Sequence, residues 1–148
     1  MSLRDGTKKM SKSDLSDYSR IMLTDSKDTI VQKIKKAKTD PLPLPSNLEE
    51  AKQRPESLNL LNIYAALSNI STNKAIENYA GKEFSKFKKD LADLSIEIIS
   101  PIAVEVKKLM DDKAFLDSIM KSGKEKAIEN AEPVLRKVYE IVGFSTIY

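Results

Sequence analysis

Two ammonium groups set three residues apart dominate the chemistry open to this chain. Lys9 and Lys12 lie in the run Thr7-Lys8-Lys9-Met10-Ser11-Lys12-Ser13-Asp14. The sequence holds no Cys and no His. Thiolate nucleophiles, disulfides, imidazole bases and the commonest zinc ligand are therefore all absent. Any reaction must run on lysine, carboxylate, hydroxyl or backbone groups, a set suited to stabilising phosphate charge rather than to acid–base work. Taken alone, the run reads equally well as a solvated Lys/Ser stretch.

The 148 residues suffice for one ordinary domain with its own core. With 41% apolar and 32% charged residues, the composition is that of a soluble globular chain. No apolar run approaches the roughly 18 residues of a membrane span, and the first residues carry no apolar leader segment. Charge is placed unevenly: residues 1–40 hold ten Lys/Arg against six Asp/Glu, and the rest fifteen against sixteen. A chain that grips nucleic acid by charge alone is usually more basic than a net +3.

The elements that must position the lysines follow from local pattern. Met1 to Thr24 has loop signals, Asp5-Gly6 and the Ser/Asp/Lys-dense run from Lys8 to Ser19, and no sustained period. Asp25 or Ser26 can cap a short helix whose apolar stripe is Ile30, Val31, Ile34 and Ala37. Lys33, Lys35, Lys36 and Lys38 crowd its last turns, where the helix dipole favours cations. Asp40-Pro-Leu-Pro-Leu-Pro45 cannot continue a helix and is the expected boundary between residues 1–40 and 41–148.

Everything after it reads as helix. Pro55 suits the start of one carrying Leu58, Leu61, Tyr64, Ala65 and Leu67. Ser71 or Thr72 opens a second, with Ala75, Ile76 and Tyr79 and a stop at Gly81. Phe84, Phe87, Leu91, Leu94, Ile98, Ile102, Val106 and Leu109 then recur at helical steps, predicting one helix of about thirty residues. Pro101 should kink it near Glu97. Asp111 or Asp112 caps a short helix with Phe115, Leu116, Ile119 and Met120, ended by Gly123. A last helix carries Ala127, Ile128, Ala131, Leu135, Val138 and Val142 before Gly143, with Pro133 inside it. No alternating strand pattern is present, so the expected fold is an all-α helical bundle preceded by an irregular loop segment.

Lys9 to Ser13 spells KMSKS, the signature loop of class I aminoacyl-tRNA synthetases, and the rest of the chain resembles the bacterial-type tryptophanyl-tRNA synthetases. The likeness runs through Met1 to Asp14, then Ile30 to Asp40 with its closing Thr39-Asp40. It continues in Asn59-Leu60-Leu61-Asn62-Ile63-Tyr64, in Tyr79-Ala80-Gly81-Lys82 with Phe87-Lys88 and Asp90-Leu91, and in Phe115 to Phe144. The resemblance implies that Lys9 and Lys12 are the catalytic, ATP-contacting lysines, with Met10, Ser11 and Ser13 shaping the loop around the triphosphate. Aimed at the departing pyrophosphate, two ammonium groups would stabilise the transition state more than the ground state. Leu15 stands where the family commonly has proline, which implies a looser hinge.

It implies further that residues 1–40 are the end of a Rossmann-like catalytic domain and 41–148 a helical anticodon-binding domain. ATP with Mg2+, tryptophan and tRNA(Trp) are then the expected substrates, and the full-length protein is expected to be a homodimer. No membrane or DNA partner is expected, and the location is cytoplasmic, or the mitochondrial matrix for an organellar member. Lacking the upstream domain, the chain is expected to be inactive alone, with residues 1–24 poorly packed. The alternative reading is a free-standing helical RNA-binding or protein-interaction module without catalysis.

RNA-contacting residues are less legible. Lys82, Lys86 and Lys89 share one helix face beside Lys88, an ordinary solvated face unless charge excess says otherwise. Phe84 and Phe87 have core spacing. Tyr18, Tyr139 and Tyr148 are stacking candidates with no stronger claim, so no anticodon residue is assigned.

Overall fold

Ser26, Asn47, Ser71 and Asp112 each accept, through a side-chain oxygen, the backbone N–H three residues on, and each opens a helix. These are α1 (Lys27–Lys35), α2 (Leu48–Lys52), α4 (Thr72–Tyr79) and α6 (Lys113–Val142). Pro55 begins α3 (Pro55–Leu67) from the first helical position, where its missing donor costs nothing. The remaining helix is α5 (Phe84–Asp111), and a single 3-10 turn covers Asp17–Ser19. The computed structural model describes residues 1–145, and no strand occurs among them. The expected all-α fold and the single long helix from Phe84 are both present.

Two compact units are formed, Met1–Glu105 and Val106–Tyr148. The first buries Ile30 and Ile34 of α1 with Leu60, Leu61 and Ala65 of α3, Ala75 and Ile76 of α4, and Phe87, Leu91 and Ala92 of α5. Aromatic edges lock its centre. Tyr79 meets Tyr64 at 5.0 Å and Phe87 at 4.8 Å between ring centroids, both nearly perpendicular. The Tyr79 hydroxyl donates to Asp90 at 3.0 Å, and burial pushes its phenol above the ordinary range. α4 stops at Gly81, whose φ of 68° is left-handed and suits a residue without Cβ.

The proline connector is stitched into this unit. Leu44 and Pro45 are buried, Leu44 donates its N–H to the Lys82 carbonyl at 2.9 Å, and Gly81 donates to the Leu44 carbonyl at 3.0 Å. Asp40 is held by Arg54 and by the Ser57 hydroxyl. The compact unit therefore runs through Asp40–Pro45 and divides elsewhere, inside α5.

Three expectations are corrected. The first residues are well packed: Ser2 and Leu3 are buried. Leu3 exchanges backbone bonds with Ser19 and Lys38, and the Asn59 amide donates to the Ser2 carbonyl at 2.9 Å. Gly6 lies so close to the Pro55–Glu56 backbone that a Cβ would collide with it. Second, Gly123 does not end a helix; α6 runs through it for 30 residues to Gly143, whose φ of 75° makes the real stop. An interior glycine costs only ~1 kcal/mol relative to alanine, a penalty that a helix of this length absorbs. Third, α2 was not foreseen, because its only start signal is Asn47 and its five residues show no full period. No residue of α6 is buried.

Replacing Phe87, which is fully buried between Tyr64 and Tyr79, removes a whole ring from the core. Phe87→Ala is expected to cost about 3–5 kcal/mol of unfolding free energy in urea titration. A loss below ~1 kcal/mol would show that the aromatic cluster is not the centre of the first unit.

Candidate functional site

The lysine loop grows from a fixed base. Asp5 accepts the Thr7 N–H at 3.0 Å and its hydroxyl at 2.6 Å, forming an Asx turn. Ser2 donates to the Lys8 carbonyl at 2.7 Å, tying the start of the loop to the buried N-terminal residues. Beyond that point Lys9, Ser11, Lys12 and Ser13 are exposed, and only Met10 packs partly against the core. Ser11 makes the bend: its hydroxyl lies 2.9 Å from that of Ser13 and accepts the Ser13 N–H at 3.3 Å. Its carbonyl accepts the Asp14 N–H at 3.4 Å.

Among the described residues, neither Lys9 nor Lys12 has a carboxylate within ion-pair distance, whereas neighbouring Lys8 is spent on Asp5 at 3.4 Å. Met10, Ser11 and Lys12 form one side of a pocket of about 350 Å³, completed by Arg20, Ile21, Met22, Leu23 and Thr24. Three of the five residues expected to hold ATP thus meet at one cavity, while Lys9 and Ser13 lie outside its lining. A larger, mainly apolar pocket of about 530 Å³ lies between α1 and α5 and contains none of the five.

Two residues that hold the loop went unrecognised in the sequence. The Arg20 guanidinium donates to the carbonyls of Ser11, Asp14 and Ser16 at 3.3–3.4 Å. It also pairs with Asp17 at 3.1 Å. The other oxygen of Asp17 meets Lys33 at 2.8 Å, and Lys33 meets Asp25 at 2.8 Å. Asp25 in turn accepts the Met22 N–H at 2.8 Å.

Lys33 was expected among the cations that complement the dipole at the end of α1; its side chain is only 2% exposed. The signal was available, since positions 30, 33, 34 and 37 fall on one helical face with Lys33 along its edge. Burial pushes its amine down, but the two carboxylates outweigh this and leave it raised. Hydrogen bonding from Lys33 holds the Asp17 carboxyl below its ordinary value.

The other lysine clusters resolve into specific contacts. From α5, Lys88 donates to the Ala37 and Lys35 carbonyls at 2.7 and 3.3 Å, capping the C-terminus of α1. Arg4 does the same at the Lys36 carbonyl, 2.7 Å away. Burial lowers the Lys88 amine. Of its companions, Lys82 donates to the Asn78 carbonyl, and Lys86 and Lys89 are exposed. Lys36 sits 4.4 Å over the Tyr18 ring and Lys38 pairs with Glu56 at 2.8 Å. Tyr139 stacks edge-on with Phe144 at 5.8 Å, and Tyr148 lies outside the described residues.

Comparison with known proteins adds a context that geometry alone does not. The family model for tRNA synthetases class I (W and Y) matches residues 1–100. The chain is 54% identical to a tryptophan–tRNA ligase of Rhizobium meliloti over 144 residues, covering 97% of this chain and 41% of that protein. It is 52% identical to the corresponding ligase of Rickettsia felis, again over 97% of this chain and 43% of the relative. The chain therefore spans about two fifths of the length of these relatives. Among solved structures it resembles a tryptophanyl-tRNA synthetase from Mycoplasma pneumoniae, with a TM-score of 0.75 and 27% identity. That match covers 99% of this chain and 45% of the other.

The buried ion pairs give the site a pH signature. Because Lys33 is raised in the folded state, its contribution is complete below the ordinary lysine value of 10.5 and is lost as pH rises through the higher folded value. Lys33→Met keeps the length and leaves Asp25 buried without a cation, at an expected cost of about 3 kcal/mol at pH 7. Measured by urea unfolding, the gap between wild type and variant should narrow above pH 10.5. A gap of constant size up to pH 12 or so would contradict a paired amine at this position.

Proposed function

The chain belongs to the class I tRNA synthetases of the tryptophan and tyrosine group, and on that premise we propose that it is the ATP-loop and helical portion of a tryptophan–tRNA ligase. Such an enzyme activates tryptophan with ATP and charges tRNA(Trp). The observation that carries the reading is the pair Lys9 and Lys12: exposed ammonium groups with no carboxylate partner among the described residues, on a turn whose base is anchored to the core.

In the activation step the tryptophan carboxylate forms a bond to the α-phosphorus of ATP and the bond to pyrophosphate breaks. Negative charge gathers on the leaving pyrophosphate. Lys9 and Lys12 would meet that charge, and because it is greater in the transition state than in bound ATP, their effect falls on the rate. Ammonium groups already paired with carboxylates would have to break those pairs first; these two have no such pair among the described residues. Met10 anchors the turn against the core while Ser11 and Ser13 keep it tight and small, so that phosphate oxygens can approach the backbone.

No group of three or more carboxylates among the described residues is arranged to hold a metal, so magnesium enters this reading as part of the nucleotide substrate. Residues 1–40 then close the catalytic part and residues 41–148 supply the helical part that receives tRNA(Trp). A full-length homodimer belongs to the same reading. No helix among the described residues is long and apolar enough to cross a membrane, in keeping with a cytoplasmic enzyme.

The test exchanges the 148 residues for the matching segment of the Rhizobium meliloti relative and follows tryptophan-dependent exchange of pyrophosphate into ATP. Exchange is expected in the hybrid and not in the isolated chain. Replacing both lysines, Lys9→Ala with Lys12→Ala, should slow it by about a hundredfold or more with the KM for tryptophan unchanged. Exchange by the doubly substituted hybrid at the parent rate would remove the basis of the proposal.

A further inference from the structure

Between Ser11 and Ser16 the chain bonds only to near neighbours within the turn, and one guanidinium reaches across it from outside. One nitrogen of Arg20, Nη1, faces the carbonyls of Ser11, Asp14 and Ser16 while Nη2 pairs with Asp17, a division between loop and anchor that a planar fork makes possible. Its side chain is 16% exposed and lines the same pocket as Met10, Ser11 and Lys12. Behind it the contacts become shorter, and they end at a buried amine. Asp17 receives Arg20 at 3.1 Å and Lys33 at 2.8 Å, and Lys33, on α1, is closed off by Asp25 at 2.8 Å. Ile30 and Ile34, which flank Lys33 on α1, are fully buried. A continuous line of charge contacts thus joins the packed face of α1 to the backbone of the lysine loop.

We propose that Arg20 is a positioning residue for the lysine loop, itself held in register by the Asp17–Lys33–Asp25 chain of ion pairs. This rests on the ligase reading above, since the step it serves is the activation of tryptophan. The distances suggest how such an arm works. Bonds of 2.8 Å at Lys33 are firm, whereas those of 3.3–3.4 Å at the loop are near the limit of a hydrogen bond and give way at small cost. The root is fixed and the tip yields. The loop can then move onto a triphosphate without losing its register, and Lys12 starts from a defined place on the pocket wall. Arg20 touches no substrate in this scheme; it acts through the turn that carries the lysines.

A residue that acts only through Lys9 and Lys12 must lose its influence when they are gone. In the hybrid ligase, Arg20→Ala should lower kcat for pyrophosphate exchange by about tenfold, leaving the KM for tryptophan unchanged. Arg20→Lys should not restore the rate, because a single ammonium cannot face the loop carbonyls and hold Asp17 from a second nitrogen at the same time. Asp17→Asn, at a side chain 60% exposed, should give a smaller loss in the same direction and serves if Arg20→Ala folds poorly. In the background of Lys9→Ala with Lys12→Ala, Arg20→Ala should have no further effect.

Full restoration by Arg20→Lys, or an equal tenfold loss with and without the two lysines, would overturn the positioning role. So would unchanged exchange in both Arg20→Ala and Asp17→Asn. If the two loop lysines can themselves be replaced without loss, the ligase reading fails and this inference falls with it. If only the Arg20 and Asp17 variants are silent, the ligase reading stands alone.

Discussion

An amine taken out of water at Lys33 has to be paired, and the way it is paired organises the N-terminal half of the molecule. A lone buried ammonium is costly enough that it would sooner lose its proton. Here Asp17 comes from the 3-10 turn after the loop and Asp25 from just before α1, so that one side chain of α1 gathers two stretches of irregular backbone. Neither stretch has a full helical ladder to hold it; the 3-10 turn has one such bond, from the Ser19 N–H to the Ser16 carbonyl at 3.1 Å. The carboxylates do that work, and the Met22 N–H bonded to Asp25 extends the hold to the far wall of the pocket.

From that anchor outward, burial falls off in a way suited to the loop closure that the proposal requires. Ser2 and Leu3 are buried, Asp5 and Thr7 make a bonded turn, and Lys9, Ser11, Lys12 and Ser13 stand at the surface, the two ammonium groups without a carboxylate partner among the described residues. The opposite end of α1 is bound as firmly, with Arg4 and Lys88 donating to its last carbonyls. Through Lys88, α5 is pinned to the element that carries Lys33, and Gly6 touches the start of α3. The proposed catalytic loop therefore rests on the same packed helices that the proposal gives to tRNA binding, with no hinge at the proline connector.

What could be read from sequence was whatever depends on local periodicity and on capping. Ser26, Ser71 and Asp112 were visible as caps, and the steps from Phe84 to Leu109 gave α5. Phe87 was readable as core for the same reason. The run Lys9 to Ser13 stood out as a candidate for chemistry only with the family resemblance beside it, since alone it reads equally well as a solvated Lys/Ser stretch. What was not legible depends on long-range pairing. Nothing local says that Leu44 bonds to Lys82, that Lys88 caps a helix fifty-one residues upstream, or that Arg20 gathers three carbonyls. Lys33 is the instructive case: its position on the stripe of Ile30 and Ile34 outweighed its charge, because partners were waiting there. Gly123 misled in the other direction, for a glycine inside a long helix weakens it without ending it.

The central claim is that Lys9 and Lys12 act on charge that develops during reaction rather than on ATP as it binds. The direct measurement is single-turnover formation of tryptophanyl-adenylate in the hybrid ligase, with ATP affinity obtained from the same titration. With both lysines replaced by alanine, the rate at saturating ATP should fall far more than the affinity weakens. An unchanged saturating rate, with the whole loss in ATP affinity, would mean that the loop binds nucleotide uniformly and does not serve the transition state.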